Sequence, residues 1–152
     1  MDLVGFIPLM KKLLVLGCFF AATLAMSAGE SATWTTDYKA AMTRAKTEHR
    51  NVLLFFTGSD WCIWCKRLNR EILSTAEFAQ FASEKLILVE LDFPRGKQQS
   101  NELKEQNAKL ADRFKIEGYP TVVVLDASGK KLGELGYQEG GPEPFIEALR
   151  KM

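Results

Sequence analysis

Short runs of apolar residues alternate along the chain with longer segments whose apolar positions recur every three or four residues. The apolar runs, each of strand length, cover residues 52–56, 86–92 and 121–125. The run at 52–56 has no polar position, which predicts a central strand buried on both faces. The segments between the runs have helical spacing, so the pattern predicts an α/β domain in which helices separate the strands.

Helical spacing and start signals predict three helices in the first half of this domain. One covers residues 36–49, and a second runs over residues 62–73 after the turn cluster at residues 57–60. Residues 74–77 read Ser-Thr-Ala-Glu, a capping box that begins a short third helix.

The second half is predicted to contain two more helices and a hairpin. One helix covers residues 101–114 and the other follows Pro142. A turn at residues 126–129 connects the strand at 121–125 to an edge strand at 131–137. The side chains expected to face inward from the first, fourth and fifth helices are Tyr38, Ala41, Met42, Ala45, Leu103, Ala108, Leu110, Ala111, Phe114, Phe145, Ile146 and Leu149.

The first 28 residues have the pattern of a targeting segment. Lys11 and Lys12 precede an apolar stretch at residues 13–28 that ends in small residues, which predicts a secretory signal peptide. That stretch is shorter than the roughly 20 residues of a membrane span. We expect cleavage near residue 28, a flexible leader at residues 29–35 and one domain at residues 36–152. The alternatives are an uncleaved membrane anchor and lipidation at Cys18.

Charge and cysteine content narrow the class of protein. The chain of 152 residues has a formal net charge of +1, which does not favour nucleic acid or an anionic membrane as a partner. Of its 3 cysteines, only Cys62 and Cys65 follow the predicted signal peptide. One close pair in an exported chain is too few for a disulfide-stapled scaffold, which needs several pairs.

Cys62 and Cys65 lie in the segment Trp-Cys-Ile-Trp-Cys-Lys at residues 61–66. Two thiols at this spacing can close and reopen a small disulfide ring. The first lies at the predicted start of a helix, where unpaired backbone N–H groups stabilise a thiolate, so we expect Cys62 to be exposed and reactive. The pair is therefore a candidate redox centre.

These motifs resemble those of the thioredoxin-like thiol–disulfide oxidoreductases over about residues 34–152. Three matches carry the resemblance: Trp-Cys-x-x-Cys-Lys at residues 61–66 after a strand, Tyr-Pro-Thr at residues 119–121 before a strand, and the element order of the C-terminal half. The lead-in at residues 56–62 is similar to the exported bacterial branch. The resemblance implies a thioredoxin-like fold with a β-α-β then β-β-α core and a mixed sheet of four to five strands.

The same resemblance implies roles for individual residues. Cys62 would be the nucleophile and Cys65 the resolving thiol, while Pro120 would be a cis-proline that faces them. The backbone of Tyr119 would then be available to an extended substrate strand. Trp61 and Trp64 flank the cysteines and, as substrate-binding residues, would together form an apolar docking surface. Trp61 has a second interpretation, packing against the strand end, which we favour, and we expect Trp64 to be exposed.

One departure from the family concerns the proton of the second thiol. Thioredoxins carry a buried acid in the strand before the cysteines, but residues 52–56 contain none. Asp60 and Glu90 are the nearest candidates, and Asp60 is expected to cap the helix instead. Lys66 is expected to be a solvated side chain that adds little to thiolate stability.

The sequence therefore predicts an exported, periplasmic or secreted oxidoreductase that acts on protein or peptide disulfides, with a reductant as the favoured direction. Its cofactor would be the Cys62–Cys65 disulfide alone, with no metal. A monomer and a membrane electron donor are also expected. Two other interpretations stay open: a copper(I)-binding module, because soft thiolates suit that ion, and a module that traps clients without turnover.

Overall fold

The computed structural model describes residues 32–152. The predicted signal peptide, Cys18 and the start of the predicted leader lie outside the described residues. Within the described part of the chain, no helix has the length and apolar character needed to cross a membrane.

A mixed five-stranded sheet forms the centre of the domain. In chain order its strands are β1 (Trp34–Thr35), β2 (Asn51–Thr57), β3 (Leu86–Asp92), β4 (Thr121–Leu125) and β5 (Lys131–Leu135). Their spatial order is β1-β3-β2-β4-β5. Strand β3 is parallel to β1 and β2, whereas β4 is antiparallel to β2 and β5. The mixed sheet of four to five strands that the resemblance implied is confirmed.

Helices cover both faces of this sheet. They are α1 (Tyr38–Glu48), α2 (Ile63–Leu68), α3 (Ala76–Lys85), α4 (Asn101–Phe114) and α5 (Pro142–Arg150). Helix α2 continues directly into one π-helical turn at Asn69–Leu73, so the single helix predicted over residues 62–73 has two parts.

Strand β2 is buried on both faces because its side chains alternate between two apolar clusters. Leu53 and Phe55 pack with buried residues of α2, α3 and α5. Leu54 and Phe56 pack with buried residues of α1 and α4 on the opposite face. Helix α2, which carries the cysteine pair, therefore lies on the face of the sheet to which Phe55 points.

Three details of the prediction are wrong. Trp34 and Thr35 were expected in a flexible leader, but they pair with β3 as strand β1. The last strand ends at Leu135 rather than at residue 137. In α4, Ala108 is exposed and its neighbour Asn107 is buried, because Asn107 Nδ2 donates a hydrogen bond to the backbone oxygen of Asp92 at 2.9 Å.

Candidate redox site

The cysteine pair lies where the chain passes from the central strand to helix α2. A turn at residues 58–61 follows β2, and the backbone N–H of Cys62 donates to the carbonyl oxygen of Gly58 at 2.8 Å. Cys62 is the N-cap of α2, and its Sγ accepts a hydrogen bond from the N–H of Cys65 at 3.1 Å. The two cysteines form a disulfide with their Cα atoms 5.2 Å apart. The same N–H is placed to stabilise a Cys62 thiolate when the disulfide opens.

Both cysteines are buried in this disulfide form. Cys62 is 6% exposed and Cys65 is 1% exposed. The expectation that Cys62 is exposed is therefore wrong, because the side chain turns back over the helix start to accept the Cys65 N–H. Cys62 still has the larger accessible fraction of the two.

Trp61, directly before the pair, is held by contacts on several sides. Its Nε1 donates to the carbonyl oxygen of Phe93 at 2.8 Å, and its ring lies edge-on to Tyr119 with centroids 5.8 Å apart. The guanidinium of Arg95 lies 4.0 Å from the ring centroid. The ring also covers Gly58 so closely that a Cβ there would lie 2.4 Å from Cε2 of Trp61.

Asp60 does not cap helix α2, contrary to the prediction, because Cys62 occupies the N-cap position. The Asp60 carboxylate instead accepts hydrogen bonds from the backbone N–H groups of Arg95 and Gly96, the latter at 2.6 Å. These bonds hold the pKa of Asp60 below its usual value of 3.8. Asp60 therefore connects the loop after β3 to the turn that precedes the cysteines.

Further hydrogen bonds stabilise the turn that precedes the cysteines. One comes from Lys66, and two join Ser59 to Asp92, residues that the sequence did not single out. Lys66 is exposed, and its Nζ donates to the carbonyl oxygen of Asp60 at 2.9 Å. Ser59 donates to the Asp92 carboxylate through its backbone N–H at 2.8 Å and its hydroxyl at 2.6 Å. Ser59 lies in the turn after β2 and Asp92 is the last residue of β3, and only the parallel pairing of β2 and β3 brings them together.

The Tyr119–Pro120 peptide bond is cis. The Tyr119 ring packs against Trp61 and against Phe93, whose ring centroid is 5.2 Å away. Partial burial raises the pKa of the Tyr119 phenol above its usual value of 10.0. Tyr119 is thus part of the packed side of the site.

Trp64, between the two cysteines in the chain, has more open surroundings than Trp61. It is 51% exposed and its neighbour Ile63 is 70% exposed, and among the described residues these two are the exposed large apolar side chains. The Trp64 ring lies 5.5 Å from that of Tyr137, and the guanidinium of Arg67 lies 5.6 Å from the Trp64 centroid. The apolar surface beside the cysteines therefore consists of Ile63 and Trp64.

The two residues that contact the Trp64 ring, Tyr137 and Arg67, belong to a hydrogen-bond network centred on Glu71. The Tyr137 hydroxyl donates to Glu71 at 2.6 Å, and Arg67 Nε donates to the same carboxylate at 3.0 Å. These two hydrogen bonds, in that order, lower the pKa of Glu71 to about 2. The sequence offered one usable signal, the four-residue spacing of Arg67 and Glu71 on a helix. Tyr137 was missed because it lies 66 positions away from Glu71 in the chain.

Glu90 lies on β3 directly across from Phe55 of β2. It lines a cavity of about 470 Å³ that is also lined by Cys65 and Lys66, whereas Asp60 does not line it. Burial, and to a smaller degree the charge of Asp92, raise the pKa of Glu90 above its usual value of 4.5, against an opposing effect of Lys97. Of the two acids predicted near the cysteines, Glu90 is the one that shares a cavity with Cys65.

The fold and the cysteine pair together are those of the thioredoxin class of thiol–disulfide oxidoreductases. The family model of the thioredoxin-like domain matches residues 38–152 of this sequence. The chain therefore belongs to the thioredoxin-like family.

Two curated relatives come from Chlamydia pneumoniae. Disulfide bond reductase DsbH is 38% identical over 113 residues, which are 74% of this chain and 68% of that protein. Thioredoxin-related protein DsbJ is 28% identical over 107 residues, which are 70% of this chain but 31% of that protein.

Solved structures agree with this assignment. A DsbH oxidoreductase matches with a TM-score of 0.77 and 36% identity, covering 80% of this chain and 84% of its own. The C-terminal domain of DsbD from Neisseria meningitidis in the oxidised form matches with a TM-score of 0.58 and 25% identity, covering 78% of this chain and 98% of its own. The protein is thus a thiol–disulfide oxidoreductase of the thioredoxin-like family.

Proposed function

We propose that the protein is an exported reductant that transfers electrons from a Cys62/Cys65 dithiol to disulfides in proteins or peptides. The observation that carries the direction of transfer is the 38% identity to a protein described as a disulfide bond reductase. The residues between the cysteines agree with it. Ile63 and Trp64 include no histidine or other titrating group that would stabilise the Cys62 thiolate enough to make the centre strongly oxidising.

The proposed reaction has two exchange steps. The Cys62 thiolate attacks one sulfur of the substrate disulfide, so a mixed disulfide forms and the other substrate sulfur leaves as a thiolate. Cys65 then loses its proton and attacks Cys62, which closes the Cys62–Cys65 disulfide and releases the second substrate thiolate. The substrate gains two electrons and the cysteine pair loses two.

Substrate contacts are proposed for the side of the site that is open. Ile63 and Trp64 offer an apolar surface next to the disulfide, which fits an unfolded or extended segment with apolar side chains. The backbone at the cis bond between Tyr119 and Pro120 is proposed to hydrogen-bond that segment. Trp61 is proposed to position the cysteine turn, because its ring is already engaged by Phe93, Tyr119 and Arg95.

Export is supported by the two lysines and the apolar stretch at residues 11–28. In an oxidising compartment a dithiol needs a continuing supply of electrons, so a membrane-bound electron donor is proposed as its partner. We propose a monomer whose redox-active group is the cysteine pair without a further cofactor.

The decisive experiment is the reduction potential of the purified protein, equilibrated with glutathione buffers of graded composition. We expect a value nearer to that of thioredoxin, about −270 mV, than to that of DsbA, about −120 mV. A potential close to the DsbA value would show that the protein is an oxidant instead.

Two further measurements test the nucleophile and the competing metal-binding interpretation. A Cys65→Ser variant should accumulate mixed disulfides with its substrates, and the matched Cys62→Ser variant should not. Equal trapping by both variants would refute the assignment of Cys62. Titration with copper(I), run alongside an insulin-reduction assay, distinguishes the enzyme from the metal-binding module. Tight stoichiometric copper binding without insulin turnover would support the metal-binding module.

A further inference from the structure

The cavity beside Cys65 is built from both the sheet and the helical layer. Its volume of about 470 Å³ is enough for several water molecules, each of which occupies about 30 Å³ in the liquid. Trp34, Phe55 and Glu90 line it from the strands, and Cys65, Asn69 and Thr75 line it from the helical side. It therefore connects a buried thiol with a carboxyl group through space that admits water.

The second exchange step needs a proton acceptor at this place. Cys65 is 1% exposed, and the thiolate rather than the thiol is the nucleophile, so its attack on Cys62 requires a base that takes the proton. Strand β2, with the sequence Asn-Val-Leu-Leu-Phe-Phe-Thr, provides no acid. The acceptor must come from another element.

The other carboxylates around the site are poor candidates because each already accepts hydrogen bonds from other residues. Asp60 accepts from two backbone N–H groups, which lowers its pKa. Asp92 accepts two hydrogen bonds from Ser59. Glu71 is bound by Tyr137 and Arg67, and its pKa falls to about 2. None of the three lines the cavity with Cys65.

Glu90 differs from these three carboxylates in its surroundings. It is half-buried, and no hydrogen bond from another described residue stabilises its charge. The charged or titratable groups that face it are Asp92 on its own strand, Lys97 on the following loop, and Cys65 and Lys66 across the cavity. The residues that line the cavity from β1, β2 and α3 do not titrate. A carboxylate with a raised pKa binds a proton more tightly and is a better base for a thiol.

We propose that Glu90 accepts, through water in this cavity, the proton that Cys65 loses when it attacks the mixed disulfide at Cys62. The inference rests on the proposed function and adds its proton path. The S–H bond of Cys65 breaks and its proton passes to the Glu90 carboxylate. A bond forms between the sulfurs of Cys65 and Cys62, the bond from Cys62 to the substrate sulfur breaks, and the electron pair leaves with the substrate as a thiolate. Glu90 returns the proton to Cys65 when the pair is reduced again.

The two exchange steps can be followed separately with a chromogenic aromatic disulfide, 5,5′-dithiobis(2-nitrobenzoate), added to an excess of reduced protein. Attack by Cys62 releases one coloured thiolate at a rate that rises with protein concentration. Attack by Cys65 on the resulting mixed disulfide releases the second at a rate independent of that concentration. In Glu90→Gln we expect the first rate to be unchanged and the second to fall by about 100-fold near neutral pH, at the lower end of what general bases contribute.

The pH profile identifies the role of the carboxyl group. In the wild type the second rate should fall as the pH is lowered through the raised pKa of Glu90, and in Glu90→Gln this inflection should be absent. Glu90→Asp, which keeps a carboxyl group on a shorter side chain, should restore part of the rate. The matched control Glu84→Gln removes an exposed glutamate of α3 that does not line this cavity, and it should behave as the wild type.

The outcomes distinguish this inference from the proposed function. If Glu90→Gln releases the second thiolate at the wild-type rate and with the wild-type pH profile, Glu90 is not the acceptor although the redox pair is functional. Equal slowing of both steps would also overturn the proposal, because it would indicate a general structural effect. If the wild type releases no thiolate from Cys62, the proposed function itself fails.

Discussion

Two tryptophans flank the same pair of cysteines, and their surroundings are opposite. Trp61 is covered by Tyr119 and Arg95 and donates its Nε1–H to the Phe93 carbonyl. Trp64 is 51% exposed and contacts Tyr137 and Arg67 on one side. The comparison shows that the contacts of Trp61 hold the cysteine turn in place, while Trp64 leaves apolar surface exposed beside the cysteines.

Trp61→Ala should produce the largest loss of stability. Truncation of a large buried aromatic residue costs about 3–5 kcal/mol, and because Trp61 is only partly buried we expect about 3 kcal/mol. Urea unfolding followed by circular dichroism measures the loss. Trp64→Ala is the matched control and should lose less than about 1 kcal/mol, so equal losses would contradict the contrast between the two sides.

Gly58→Ala tests the close contact between Gly58 and the Trp61 ring. The added Cβ would lie 2.4 Å from Cε2 of the Trp61 ring, so the ring must move and the variant should lose about 1–3 kcal/mol. Gly118→Ala is the control, because a Cβ at Gly118 meets no atom within 4 Å. Thermal unfolding should show a lower Tm for Gly58→Ala alone. An unchanged Tm in both variants would show that Trp61 has room to relax.

Trp64→Ala should affect substrates rather than folding. Removal of an exposed aromatic contact is expected to raise the KM for an unfolded protein disulfide by about 10-fold, the size of a moderate interface contact. The rate with a small aromatic disulfide should change little, because such a substrate needs no apolar docking surface. Steady-state kinetics with both substrates provides the measurement. An equal loss of activity with both substrates would indicate that Trp64 positions the cysteines instead of binding the substrate.

Glu71→Gln should have the smallest effect, and the effect should depend on pH. The pKa of Glu71 is lowered from 4.5 to about 2 by Tyr137 and Arg67. The unfolded state therefore binds more protons between these values, so the stabilisation is present above about pH 4.5 and is lost as the pH falls through about 2. The Tm difference between wild type and variant should shrink over that range. A difference independent of pH would contradict this explanation.

Most element positions could be predicted because the apolar pattern is strong in this chain. The predicted bounds of β3, β4 and α4 agree with the structure. Errors occurred where local signals were weak or where a contact overrode them. Strand β1 has only two residues, and it forms because β3 has an open edge beside it. Asn107 reads as a surface residue, but its side chain satisfies the backbone oxygen of Asp92 inside the domain.

In the candidate site too, residues marked by local motifs were predicted, and residues placed by distant contacts were missed. The cysteines, the proline and the tryptophans were found from short-range motifs. Asp60 was assigned as a helix cap because its position before the helix fits one, yet its carboxylate binds the backbone of Arg95 and Gly96, 35 and 36 positions further along the chain. Ser59, Asp92 and Tyr137 were missed for a similar reason, since their partners lie in other elements.

The sequence by itself determined the α/β order of elements, the cysteine pair at the start of a helix and the absence of an acid in strand β2. These are properties of hydrophobic period and local spacing, which act between residues close in the chain. Tertiary structure alone decided which residues contact Trp61 and Trp64, and that Glu90 lines the same cavity as Cys65. Those outcomes depend on which sheet edges and helix faces meet, because burial and pKa are set by neighbours in space rather than in sequence.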